Sequence, residues 1–133
     1  MAIKKVCVIG AGTMGNGIAQ VSAQAGYETT MVDVKQEFVD RGMNMIKASL
    51  GKFVEKGKIK QAEMDGTLAR IRTSTDINDA AKDVDYVIEA VFERADVKLP
   101  VLKQLEEACP EQTILASNTS GIPISLLASA TKR

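Results

Sequence analysis

The sequence predicts an α/β fold, a doubly wound parallel sheet with a helical pair inserted after its second strand. Three observations predict it. A short apolar run, Val6 to Ile9, is followed at once by Gly10-Ala11-Gly12-Thr13-Met14-Gly15 and a helical pattern. A second strand-like run, Glu28 to Val32, ends on an acid, Asp33. Beyond it, apolar runs and helical stretches alternate, as in a parallel sheet covered by helices on both faces.

The run Val6 to Ile9 has the length and unbroken apolar character of a strand buried on both faces. The chain must then turn, pass close to a ligand and start a helix within a few residues. Gly10 permits the tight turn, Gly12 leaves no Cβ between the backbone and a pyrophosphate, and Gly15 lets the helix pack closely on the strand. Phosphates there face a helix N-terminus, whose unpaired N–H groups and macrodipole favour negative charge. Asp33 falls 18 residues past Gly15, where a carboxylate accepts hydrogen bonds from the adenosine ribose hydroxyls. It would repel a 2′-phosphate, so NAD is the expected cofactor rather than NADP. Lys35, just beyond, reads either as a solvated surface lysine or as a partner for a 2′-phosphate, which leaves some tolerance of NADP open. These are the parts of a Rossmann-type nucleotide-binding unit.

After Asp33, apolar residues recur at spacings of three and four, Val39, Met43, Ile46, Leu50 and Phe53, and predict a helix from about Gln36 to Lys56. Gly57 breaks it, and a shorter helix, about Gln61 to Arg70, carries Met64 and Leu68 on one face. Lys52, Lys56, Lys58 and Lys60 gather at the tip of this pair. Such a cluster reads equally as a solvated face or as a basic site for the phosphates of a large anionic substrate. Strand–helix alternation then resumes: strand Ile71 to Ser74, helix Asp76 to Lys82, strand Tyr86 to Ala90, helix Asp96 to Ala108, strand Thr113 to Ala116. Ligands of such sheets bind beyond the carboxyl ends of the strands, at the topological switch point. The residues to watch are Gly10 to Gly15, Asp33, Ala90 to Glu93, and Ser117 to Ser120.

Composition narrows the function classes. The 133 residues fit one domain. The 17 basic and 17 acidic residues balance, so no nucleic-acid or membrane partner is expected. No apolar run reaches membrane-spanning length and the chain enters a strand without a signal-peptide pattern, so a soluble cytoplasmic protein is expected. Cys7, inside the first strand, and Cys109, near a helix end, read as small buried hydrophobes. There is no histidine and no CxxC, so no metal site is expected.

Three segments, Gly10-Ala11-Gly12-Thr13-Met14-Gly15-Asn16-Gly17-Ile18-Ala19-Gln20, Val87-Ile88-Glu89-Ala90-Val91-Phe92-Glu93 and Ala116-Ser117-Asn118-Thr119-Ser120, together resemble the 3-hydroxyacyl-CoA dehydrogenases, the nearest members being the bacterial 3-hydroxybutyryl-CoA dehydrogenases. The resemblance covers essentially the whole chain. It implies NAD-dependent oxidation of an (S)-3-hydroxyacyl-CoA, or the reverse reduction. It also implies that Glu93 and Lys98 stand near the nicotinamide-side ribose, and that Asn118 and Ser120 stand beside the nicotinamide and the substrate carbonyl. Ser49 and Lys56 resemble the family's contacts to coenzyme A, which favours the phosphate-site reading of the lysine tip.

The residues read by themselves leave alternatives at two points. Glu93 is also what a helix start favours, and Ser-Asn-Thr-Ser also reads as a turn and N-cap. In the family, the segment that follows carries the catalytic histidine, the acid that orients it and an all-helical domain that makes a homodimer and closes the substrate site. The chain is therefore expected to be the cofactor half, nearly inert alone, since general acid–base groups contribute about 10²- to 10⁴-fold. Two other readings remain: another β-hydroxyacid dehydrogenase, and a stand-alone NAD-binding module. The apolar residues Ile122, Ile124, Leu126 and Leu127 suggest either a face normally covered or a helix packed on its own domain.

Overall fold

Val6 and Val8 point to one side of the central strand and Cys7 and Ile9 to the other, and each pair belongs to a separate apolar cluster. That alternation with no polar face is the origin of the two-sided architecture. The computed structural model describes residues 2–133. It contains β1 (Lys5–Ile9), α1 (Thr13–Gln24), β2 (Glu28–Val32), α2 (Gln36–Glu55), α3 (Gln61–Ala69), β3 (Ile71–Ser74), α4 (Ile77–Ala81), β4 (Tyr86–Glu89), α5 (Ala95–Ala108), β5 (Ile114–Ser117) and α6 (Ile124–Ala128).

The five strands form one parallel sheet in the order β3-β2-β1-β4-β5. The chain winds outward from β1 to β2 and β3, then returns to the other side of β1 for β4 and β5. The carboxyl ends of β1 and β4 are therefore the switch point, and a cleft opens there.

One core lies under α1, α2 and α3, where Ala19, Ala23, Met31, Val39, Ile46 and Leu50 are fully buried. The apolar spacing read in the long helix is the stripe that faces it, and Met43, Phe53, Met64 and Leu68 pack at its margin. The opposite core gathers Val32, Val84, Val87, Leu102, Leu105 and Leu127 under α4, α5 and α6. Leu127 and Ile122 thus pack on their own domain, whereas Ile124 and Leu126 face outward. The apolar stretch near the end is a short helix with one covered side.

Boundaries move by one or two residues where side chains end the elements. Asp76 lies outside α4 as its N-cap, accepting the amide of Asp79. Thr113 lies outside β5 because its amide closes a turn on Pro110 and its hydroxyl is bound to Val84 O. Cys7 and Cys109 are buried and unbridged. Burial pushes the Cys7 thiol up to about 12 and raises that of Cys109, so neither is a nucleophile at neutral pH. Among the described residues no helix is long and apolar enough to cross a membrane.

Candidate functional site

The turn after β1 is built from close backbone approaches. Gly10 adopts φ 115°, a left-handed conformation that favours glycine, and its amide donates to Val32 O at 2.7 Å. A Cβ on Gly10 would stand 2.6 Å from Ala90 O, so the end of β4 rests directly on this turn. A Cβ on Gly15 would collide with the Gly10 carbonyl, which fixes how closely α1 stands against β1. Gly12 is different: a Cβ there would meet nothing within 4 Å. The bare backbone at Gly12 faces open space, the opening that an approaching phosphate requires. Gly12 is also the N-cap of α1, without a side-chain cap or an acid in the first turn, so the amides of Thr13, Met14 and Gly15 have no protein anion competing for them.

Asp33 closes the other side of the turn. Its Oδ2 accepts the Ala11 amide at 2.9 Å and its Oδ1 accepts the Val34 amide at 2.7 Å. A carboxylate has about four acceptor sites, so about two remain for a ligand's hydroxyl groups. Beside it a cleft of about 300 Å³, lined by Gly10, Asp33, Val34, Thr75, Ile77 and Val91, runs over the ends of β1 to β3. A larger groove of about 400 Å³ follows edge strand β5 between Leu102, Ile114, Ile124 and Arg133. No residue of the glycine turn lines it, so the smaller cleft is the nucleotide candidate.

The third and fourth parts of the site meet over β4 and β5. Glu93 accepts the Thr119 hydroxyl at 2.6 Å through Oε1 and the Ser120 amide at 3.2 Å through Oε2. First the Thr119 hydroxyl and then the Ser120 amide hold its carboxyl below the ordinary 4.5. Glu93 is therefore a fastener of the Asn118–Ser120 loop rather than a mere helix-start acid. Asn118 itself is tied to the end of β4, its amide donating to Glu89 O at 2.8 Å.

Lys98 lies deeper than a ribose contact would suggest. It is 1% exposed, with Nζ 2.6 Å from Glu89 Oε2, 3.1 Å from Val91 O and 3.8 Å from Glu93 Oε1. Glu89 is wholly buried.

The structure does not bring Ser49 and Lys56 to the strand ends. Ser49 lies on α2 and Lys56 is the C-cap that ends it, seven residues on, two helical turns or about 10 Å along one face. Ser49 accepts the side-chain amide of Gln20 at 3.0 Å, and four residues earlier Met45 Sδ meets the Asn16 side chain at 3.4 Å. Both contacts join α1 to α2, and Lys56 is exposed at the far end of α2.

Three residues that the sequence reading gave no role of their own shape the site, Glu89 and Asn16 within its quoted motifs and Gly42 outside them. Glu89 stands at the end of an apolar strand, and a charge so placed in a central strand demands a buried partner; Lys98, nine residues on, is that partner. Gly42 lets α2 approach the glycine turn, since a Cβ there would stand 2.8 Å from Ala11 O. Its signal is a glycine inside an apolar helical stripe. Asn16 donates to Gly12 O at 2.7 Å, holding the loop's carbonyl away from the phosphate side.

A left-handed glycine turn between β1 and α1, a carboxylate at the tip of β2 and a parallel sheet in this order define a dinucleotide-binding domain of the Rossmann class. Residues 5–133 match the family described as 3-hydroxyacyl-CoA dehydrogenase, NAD binding domain. The chain belongs to that family and is its NAD-binding domain. It is 50% identical over 129 residues to a protein of Deinococcus radiodurans named probable 3-hydroxybutyryl-CoA dehydrogenase, covering 97% of this chain and 46% of that protein. A Bacillus subtilis protein of the same name is 42% identical over 133 residues, covering 100% of this chain and 46% of its own length. The crystal structure of (S)-3-hydroxybutyryl-CoA dehydrogenase from Ralstonia eutropha superimposes with a TM-score of 0.95 at 42% identity, over 99% of this chain and 46% of that one. The chain thus spans about half the length of these relatives.

Proposed function

We propose that this chain is the cofactor half of an enzyme that oxidises (S)-3-hydroxyacyl-CoA to 3-ketoacyl-CoA with NAD, or runs the reverse, with 3-hydroxybutyryl-CoA as the short-chain substrate. The observation that carries this reading is the convergence of three separate segments on one sheet end. The glycine turn, Asp33 and the Glu93-fastened loop of Asn118 and Ser120 all lie beyond the carboxyl ends of the strands.

The roles follow from position. The backbone of Gly10 to Gly15, with Ala11, Thr13 and Met14 supplying amides, holds the pyrophosphate. Asp33 takes the adenosine ribose. Glu93, with the Lys98 ammonium behind it, takes the nicotinamide-side ribose, and Ala90 and Asn118 border the nicotinamide. Ser120 offers a hydroxyl to the substrate oxygen, where charge develops. Ser49 and Lys56 mark the coenzyme A track along α2, with the lysine tip meeting its phosphates.

Bound NAD supplies the hydride acceptor for the C–H bond at C3 of the acyl group. The hydroxyl proton needs a base, and no histidine stands among the 133 residues. That base is proposed to come from the half of the relatives' length that this chain does not span, as is the surface that makes a homodimer. A cytoplasmic location fits two buried, unbridged cysteines. A full-length protein carrying this domain should oxidise NADH when given acetoacetyl-CoA, and the 133-residue chain should bind NADH without turnover. Failure of the full-length protein to do so would refute the proposal.

A further inference from the structure

We infer that Glu89 is a positioning residue for the nicotinamide end of the site, acting by holding Ser117 and Lys98 at once. It is wholly buried, so it acts through its neighbours. Its Oε1 accepts the Ser117 hydroxyl at 2.5 Å, and its Oε2 accepts Lys98 Nζ at 2.6 Å and the Val91 amide at 2.8 Å.

Two of these partners, Ser117 and Lys98, lead back to Glu93. Ser117 Oγ accepts the Thr119 amide at 3.2 Å, Thr119 Oγ1 donates to Glu93 Oε1 at 2.6 Å, and Lys98 Nζ stands 3.8 Å from that same oxygen. Glu89, Ser117, Thr119, Glu93 and Lys98 therefore form a closed polar ring joining β4, β5, α5 and the loop of Asn118 and Ser120. Glu89 and Lys98 are its buried members, Ser117 and Thr119 are half-buried, and Glu93 is exposed.

Burying a carboxylate and an ammonium costs free energy that apolar residues of equal volume would not, so a ring of this kind is poorly explained by stability alone. It has one geometric consequence. The height of the Asn118–Ser120 loop over β4, and the orientation of Glu93, are both set from the buried Glu89 carboxylate. The role rests on the reading that this loop and Glu93 face the nicotinamide half, while Gly10 to Gly15 and Asp33 face the ADP half.

The test exploits that division. Glu89→Gln strands the Lys98 charge and endangers folding, so the informative variant is Ser117→Ala, which opens the ring at one bond and leaves the ion pair intact. The chain and its variants are titrated calorimetrically with NADH and, separately, with ADP. For Ser117→Ala, NADH binding should weaken about tenfold while ADP binding stays within about twofold, since the lost hydrogen bond serves only one half of the ligand.

Thr113→Val is the control. It removes the buried bond from Thr113 to Val84 O at the other end of the same strand pair, so it should lower stability and leave both affinities unchanged. Equal loss of NADH and ADP in Ser117→Ala, no loss of NADH, or the same selective loss in Thr113→Val would overturn the role. A wild-type chain that binds ADP as tightly as NADH would overturn the underlying placement of the nicotinamide end instead.

Discussion

The carboxylate of Asp33 accepts the amide of Ala11 at 2.9 Å, so the acid at the tip of β2 and the glycine turn after β1 form one unit before any ligand arrives. The turn's geometry and, under the proposed function, the discrimination between cofactors are thereby carried by the same side chain. A carboxylate already fixed to the turn in this way is preorganised for the ribose contact proposed above, which lowers the ordering cost of binding.

Asp33→Asn keeps an oxygen for the Ala11 amide and removes the charge. NADH affinity should fall about tenfold, the difference between a charged and a neutral acceptor. NADPH affinity should not fall with it, because the repulsion of a 2′-phosphate is relieved. Parallel titrations with the two cofactors measure the ratio, and an equal fall for both would contradict the assignment.

Gly12 and Gly15 should separate binding from folding. A methyl at Gly12 meets nothing in the protein, so Gly12→Ala should cost less than about 1 kcal/mol of stability while abolishing NADH binding. A methyl at Gly15 collides with the Gly10 carbonyl, so Gly15→Ala should destabilise the domain by about 3 kcal/mol or more. Urea unfolding and NADH titration on both variants check the contrast.

Lys98→Met leaves the Glu89 carboxylate buried without its cation. Removing one partner of such a pair costs about 3–5 kcal/mol, so this variant should be among the most destabilising single changes in the domain. Denaturant midpoints report it. A loss below about 1 kcal/mol would mean that water reaches Glu89.

How much of this was legible in the sequence depends on whether the relevant contact is local. Gly10, Gly12, Gly15 and Asp33 belong to one strand–turn–helix–strand unit whose spacing encodes its geometry, and the structure forms the tight turn at Gly10 and the close helix contact at Gly15 that the spacing predicts. The helical pair was legible from the period of Val39, Ile46 and Leu50, which is the buried stripe of α2. Glu89 was not, because its meaning lies in Ser117, 28 residues away, and in Lys98 across a helix. The same holds for Gly42, whose lack of a side chain matters only once α2 lies against Ala11. Lys98 was legible as part of the site but not as a buried group, since nothing in the order of residues states its depth.

Glu93 gives the loop a pH dependence. Its folded-state pKa lies below the ordinary 4.5, so its contribution to stability is complete above that pH and is lost as the pH falls through the depressed folded value. The stability difference between wild type and Glu93→Gln should therefore be constant above about pH 5 and shrink below pH 4.5. Urea unfolding of both across that range measures it, and a gap that widened on acidification would contradict the assignment.

The central claim is that these 133 residues form a working NAD site, and calorimetric titration of the chain with NADH and with NADPH tests it most directly. NADH should bind with one-to-one stoichiometry and NADPH much more weakly. Binding of neither, or equal binding of both, would contradict the account.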